Sequence, residues 1–206
     1  MTTNEEQATA DLYGRAQLLH FLSEVFLALP TEDYLERLAA INWNALPLES
    51  CRLIGAWLDE SRHRPVDALL DLGRDRSALV RSMGPAAIEP PYESLWRGAA
   101  ANLSIGSLNR FYADEGYQIA DEVRDTSDQL GVELAFSALL HDRLLAALAA
   151  GDEAEAARLD EVRATFERTH LGQWAPTYAA AMESAARTDF YRGVAQLLAA
   201  LSFESG

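Results

Sequence analysis

Apolar residues recur at helical spacing along most of this 206-residue chain. From Thr9 to Leu29 they lie three, four or seven positions apart, which places them on one face of a helix. That face consists of Leu12, Leu19, Leu22, Phe26 and Leu29. Pro30 predicts the end of this helix, because proline lacks the amide proton that a continuing helix needs.

Capping residues and prolines predict the next helices. Thr31 predicts the cap of a short helix that runs to about Ile41, and Pro47 predicts the start of another. A longer helix is expected from Pro65 to Met83, interrupted near Gly73. A loop is expected to follow at 84–91.

The middle of the chain combines short helices with an acid-rich stretch. Residues 92–112 are predicted to form two helices separated around 102–107, with Gly116 at the position that follows a helix end. Residues 117–127 show little apolar periodicity, so they are expected to form an acidic linker.

Four helices are expected after this linker. Asp128 predicts the N-cap of a long helix that Gly151 ends, and Asp152 begins a second helix that reaches His170. Pro176 predicts the start of a third helix, and Thr188 predicts the cap of the last.

The pattern therefore predicts an all-α fold. We expect a single compact multi-helix bundle with two helical halves, 1–116 and 128–206, joined by the acidic linker 117–127. Composition agrees, since 36 Ala and 31 Leu far outnumber 7 Val and 5 Ile.

Charge narrows the classes of partner. The chain carries 32 acidic and 17 basic residues for a net charge of -15, and every base is arginine. This balance argues against nucleic acid and favours a cationic partner, although a salt-rich cell or a high-GC genome also accounts for lysine-free, acidic composition. No apolar run approaches the roughly 20 residues of a membrane span, so we expect a cytoplasmic protein without stable membrane insertion.

The sequence contains few residues or motifs that indicate metal binding or catalysis. The single Cys51 and four scattered histidines give no usual metal site, and no nucleophile or phosphate-loop motif occurs, so neither a metal nor an enzymatic activity is expected. His20 and Glu24 lie one helical turn apart, which leaves a haem oxygenase-like enzyme or a haem-handling protein as an alternative. An all-helical scaffolding domain is a further alternative.

Five motifs in a fixed order carry a resemblance to a known family. They are Pro90-Pro91-Tyr92-Glu93-Ser94, Arg110-Phe111-Tyr112 with Gly116, Asp128-Gln129 with Glu133-Leu134, His170 to Pro176, and Phe190-Tyr191 with the run to Phe203. This order resembles the TorD/DmsD/NarJ family of redox-enzyme maturation chaperones. The resemblance covers about Pro90 to Phe203 by motif, and the N-terminal half only by helical pattern.

The resemblance implies an all-helical chaperone of the TorD/DmsD type that has no cofactor of its own. It implies binding of a molybdoenzyme precursor and its twin-arginine leader peptide before export, by a monomer or a domain-swapped homodimer. The family's Asp-His pair falls on Asp128 and Gln129, so the histidine is replaced, and Thr126-Ser127 replaces the usual Pro-Asp.

The expected peptide-binding residues are Tyr92, Glu93, Asp128, Gln129 and Glu133. Carboxylates can hold an arginine guanidinium bidentately while a helical groove buries an apolar stretch. Structural roles are expected for Pro90, Pro91, Ser94 and Gly116. On a purely structural interpretation, Pro91 is the first residue of a helix and Asp128 is only a cap.

Overall fold

The computed structural model of the chain describes residues 3–46, 48–98, 101–121, 123 and 125–203. About 75% of the structure is helical and no strand occurs among these residues, which confirms the all-α fold class. The described residues form ten helices, which are α1 (Thr3–Leu27), α2 (Glu32–Ala39), α3 (Glu49–Ser61), α4 (Pro65–Val80), α5 (Glu93–Trp96), α6 (Ala101–Asp114), α7 (Leu130–Ala150), α8 (Glu153–Thr169), α9 (Leu171–Ala185) and α10 (Asp189–Ala200). A 3₁₀ turn, Trp43–Ala45, precedes α3.

The chain forms two compact units that are interleaved in sequence. Unit 1 comprises Met1–Leu27, Tyr92–Trp174 and Ser202–Gly206, and unit 2 comprises Ala28–Pro91 and Ala175–Leu201. These units do not coincide with the expected halves, and the expected linker at 117–127 lies within unit 1.

Unit 1 is built on α7, which packs against both α1 and α8. Close contact between α1 and α7 depends on Gly131, because a Cβ atom there would lie 2.7 Å from Leu27 Cγ. The Ser23 hydroxyl donates to the Gly131 carbonyl at 2.8 Å and adds a buried hydrogen bond to this contact. Phe136 of α7 and Phe166 of α8 pack edge to face in the core.

Unit 2 has α3 packed against α10 at its centre. The start of α10 is held by the buried Asp75 carboxylate, which accepts from the Thr188 amide at 2.7 Å and from its hydroxyl at 2.8 Å. A charge-assisted cap of this kind satisfies amides that the first helical turn leaves free.

The expected helix ends are confirmed where local chemistry decides them. The hydroxyls of Thr31 and Thr188 accept from Tyr34 and Tyr191 amides as N-caps. At the end of α6, Gly116 has φ 63° and donates to the Ala113 carbonyl, and Tyr117 donates to the Tyr112 carbonyl, which together make a Schellman motif. Gly151, with φ 71°, ends α7 in the same left-handed conformation.

Two expected interruptions and one expected helix start are wrong. Helix α4 continues through Gly73, and α6 continues through 102–107. One glycine costs only about 1 kcal/mol in a helix, which is less than the burial of a side chain such as Leu72 or Leu108 contributes. Helix α9 begins at Leu171 and contains Pro176, although Pro176 was expected to start it. Pro47, the expected start of α3, lies outside the described residues.

No described helix is long and apolar enough to cross a membrane.

Candidate functional site

Two of the sequence motifs meet at an isolated antiparallel β-bridge in unit 1. The bridge joins Tyr92 to Gln129, and the Glu93 amide donates to the Asp128 carbonyl at 2.9 Å. Four of the five expected binding residues are therefore brought together, and Glu133 follows in the first turn of α7.

Asp128 holds the start of α5, and its expected role as the cap of α7 is wrong. Its Oδ2 accepts from the Ser94 amide at 3.2 Å and its Oδ1 from the Thr126 hydroxyl at 2.6 Å. Gln129 caps α7 instead, because its Oε1 accepts from the amides of Gly131 at 2.5 Å and Val132 at 3.3 Å. The cap of α7 thus lies one residue later than the sequence indicated.

Glu93 is fully buried and already has cationic or donor partners. Arg97 donates to its Oε1 at 2.5 Å, and His170 Nδ1 lies 3.0 Å from its Oε2. Arg97 also donates to the Thr169 carbonyl at 2.9 Å, so this cluster ties α5 to the end of α8. The Glu93 carboxylate is thus satisfied within the protein.

Glu133 is fully buried with much weaker support. Its Oε2 accepts a long bond of 3.4 Å from the Trp174 indole, and its Oε1 has no hydrogen-bond partner among the described residues. Burial, followed by the nearby charge of Glu93, raises the pKa of the Glu133 carboxyl well above its ordinary value. Gln129 Nε2 and His170 Nε2 are also buried in the described structure without a partner.

A surface groove of about 580 Å³ lies beside the bridge. It is lined by Tyr92, Ser94, Leu95, Ile105, Thr126, Ser127 and Asp128. The Tyr92 hydroxyl donates to Asp125 Oδ1 at 2.5 Å, which places a second carboxylate next to the groove. The groove thus combines apolar side chains with carboxylates, the features that suit a segment both apolar and cationic.

The nitrate reductase delta subunit family matches the chain over residues 45–180, more than half of its length. The chain belongs to this family. The match confirms the resemblance to TorD/DmsD/NarJ chaperones and supports a role in molybdoenzyme assembly, with a molybdoenzyme precursor as partner. The delta subunit family consists of assembly chaperones without catalytic function. A comparison with curated proteins finds no match.

The four residues with expected structural roles lie just before or at the start of α5 and just after α6. Ser94 presents the amide that Asp128 binds, and Gly116 makes the turn after α6. Pro91 precedes the N-cap of α5, which is Tyr92, so the interpretation of Pro91 as the first helical residue is wrong. Pro90 and Pro91 are the last residues of unit 2 before the bridge.

Arg97, His170 and Trp174 also contribute to the site, and sequence reasoning gave them no role there. His170 lies 77 positions from Glu93, and Trp174 lies 41 positions from Glu133. Only the motif from His170 to Pro176 marked two of them, as part of the family resemblance.

The histidine singled out for the haem alternative lies elsewhere in unit 1. His20 is half-exposed on α1, and its Nε2 lies 2.8 Å from Asp142 Oδ2 of α7. Among the described residues, no three His, Cys, Asp or Glu side chains are placed to hold one metal ion.

Proposed function

We propose that this chain binds the twin-arginine leader of a molybdoenzyme precursor in the groove beside the Tyr92–Gln129 bridge, in the cytoplasm and before export. The observation that carries the proposal is the groove's composition: Asp128 lies within it, Asp125 lies next to it, and Leu95 and Ile105 supply apolar surface. Family membership supports the wider role in molybdoenzyme assembly.

The five expected binding residues then divide into two roles. Tyr92 and Asp128 line the groove and contact the leader. Glu93, Gln129 and Glu133 do not line the groove; Glu93 holds α5 through Arg97, Gln129 caps the first turn of α7, and Glu133 lies buried in that turn. A bound guanidinium would share the Asp128 carboxylate with the Ser94 amide and the Thr126 hydroxyl.

The test is calorimetry with a synthetic twin-arginine leader peptide and the variant Asp128→Asn. Asparagine can still accept from the Ser94 amide, so the cap of α5 and the melting temperature should change little. Loss of the charge-assisted contact with arginine, typically about 1.5 to 3 kcal/mol, should weaken leader binding by roughly ten-fold or more.

Asp114→Asn is the matched control, since Asp114 is exposed at the end of α6 and loses the same charge. A leader with two lysines in place of the arginines should bind more weakly to the parent protein, because lysine cannot make bidentate contacts. If Asp128→Asn melts normally and binds the leader as tightly as Asp114→Asn does, the groove is not the binding site.

A further inference from the structure

Two fully buried carboxyl groups near the groove have unequal surroundings. Within the described part of the chain, Arg97 and His170 contact Glu93, whereas Glu133 receives only the long indole bond from Trp174 and has one oxygen with no partner. A buried carboxylate without donors is far less stable than a buried neutral carboxyl. Of the two carboxyl groups, Glu133 is therefore the one whose ionised form the structure disfavours.

The charges that face Glu133 reinforce this asymmetry. Glu93 and Asp128 are the negative groups that act on it, and Arg97 is the positive one. Tyr112 of α6 also faces Glu133, and burial raises the pKa of Tyr112, so this phenol stays neutral. The start of α7 favours a negative charge at Glu133, but typically by only about 0.3 to 1 kcal/mol, less than desolvation costs.

We propose that Glu133 carries a proton in the unbound protein and that binding of a leader arginine at Asp128 releases this proton to solvent. This inference rests on the proposed function. In the step, the O–H bond of the Glu133 carboxyl breaks, the proton leaves to solvent and the leader's guanidinium keeps its charge. No oxidation or covalent bond to the peptide is involved.

Leader binding changes the charge near Glu133 more than it changes the burial of Glu133. Glu133 is already 0% exposed, so a peptide that covers the groove adds little desolvation. The guanidinium, by contrast, adds a positive charge beside Asp128, one of the groups that disfavours the ionised form of Glu133. Binding therefore favours ionised Glu133.

A dependence of affinity on pH follows. The leader binds the ionised form of Glu133 better, so the association constant should rise with pH by up to ten-fold per unit, until pH exceeds the raised pKa of free Glu133. Above that pH the association constant should level off. Other ionisable groups, His170 among them, lie in this cluster, so the Glu133→Gln variant is needed to assign the released proton to Glu133.

Calorimetry in two buffers of different ionisation enthalpy measures the protons released on binding of a synthetic twin-arginine leader. We expect up to one proton from the parent protein and from the control Glu161→Gln, which removes an exposed glutamate. We expect no release from Glu133→Gln. In the unbound parent, infrared difference spectra against Glu133→Gln should show a protonated carboxyl at neutral pH.

The outcomes separate this inference from the proposed function. Leader binding without proton release, or release that persists in Glu133→Gln, would overturn the coupling and leave the binding site intact. Absence of the protonated carboxyl band would overturn it as well. If the leader does not bind the parent protein at all, the proposed function fails and the coupling fails with it.

Discussion

At the scale of single residues, Glu133 lowers stability and shapes the site. Its carboxyl lies fully buried at the start of α7, and one of its oxygens has no hydrogen-bond partner in the part of the chain that the structure describes. Natural chains retain such groups mainly where function needs them, because an unsatisfied buried polar atom costs about 1 to 3 kcal/mol. The proposed proton release gives Glu133 such a function.

Glu133→Gln should therefore stabilise the protein, and more so as pH rises. Because the folded-state pKa of Glu133 is raised above the ordinary 4.5, the folded state binds more protons, and parent stability falls as pH rises from that value to the raised one. The amide does not titrate, so the variant should gain about 1 kcal/mol or more at pH 8 over the parent. Denaturant unfolding at pH 5 and pH 8 measures the difference. A variant less stable than its parent at pH 8 would contradict this account.

The residue scale also shows what sequence could predict at the site. Tyr92, Glu93, Asp128 and Gln129 were expected to act together, and the β-bridge joins them. The division of roles was not predictable, because the Asp128 side chain holds the start of α5, 34 positions earlier, while Gln129 caps α7. A contact between distant parts of the chain decides the role of each side chain, and a local sequence pattern does not show such a contact.

At the scale of helices, close packing depends on individual glycines. Gly193 of α10 faces α3, where a Cβ atom would lie 2.7 Å from both the Ser50 carbonyl oxygen and Ile54 Cγ1. Gly73 of α4, by contrast, has no atom of another residue within 4 Å of an added Cβ. The same residue type thus has opposite significance in two helices of unit 2.

Alanine at these two positions should change stability in opposite directions. Gly193→Ala must push α10 away from α3, so it should cost about 1 to 3 kcal/mol. Gly73→Ala adds helix propensity without a clash, so it should gain about 0.5 to 1 kcal/mol. Thermal melts of the two variants and their parent measure both effects. Equal destabilisation by the two substitutions would show that the α3–α10 contact tolerates a methyl group.

Helix boundaries were predictable where a cap or turn is local. Thr31, Thr188, Gly116 and Gly151 mark ends that short-range hydrogen bonds and glycine conformation determine. The prediction from Pro176 was wrong. Helix α9 carries the buried side chains of Trp174 and Tyr178 on either side of Pro176, and their burial outweighs the loss of one backbone hydrogen bond. The burial of a side chain against distant elements cannot be inferred from the local sequence.

At the scale of the whole molecule, composition was enough to predict the all-α class, but the grouping of helices was not predictable. Unit 1 unites α1 with α7 and α8, and unit 2 unites α3 with α10. These partners are distant in sequence, and every helix offers an apolar face that fits several neighbours. The choice among neighbours depends on close contacts such as those of Gly131 and Gly193, which appear only in three dimensions.

The excess of negative charge should make the stability of the protein depend on salt concentration. The chain has 32 acidic and 17 basic residues, so carboxylates remain in excess even if every arginine is paired. The Debye length falls from about 30 Å in 0.01 M salt to about 3 Å in 1 M, which screens repulsion among these carboxylates. Salt also weakens exposed pairs such as Arg52–Glu49, but each contributes only about 0 to 1 kcal/mol.

The melting temperature should therefore rise with sodium chloride, by about 2 to 4 °C for each kcal/mol of repulsion removed. A control variant with Glu36→Gln, Asp114→Asn and Glu161→Gln removes three exposed negative charges from helices. It should melt higher than the parent in low salt and respond less to added salt, because less repulsion remains to be screened. A melting temperature that falls with salt would mean that the ion pairs outweigh the excess negative charge.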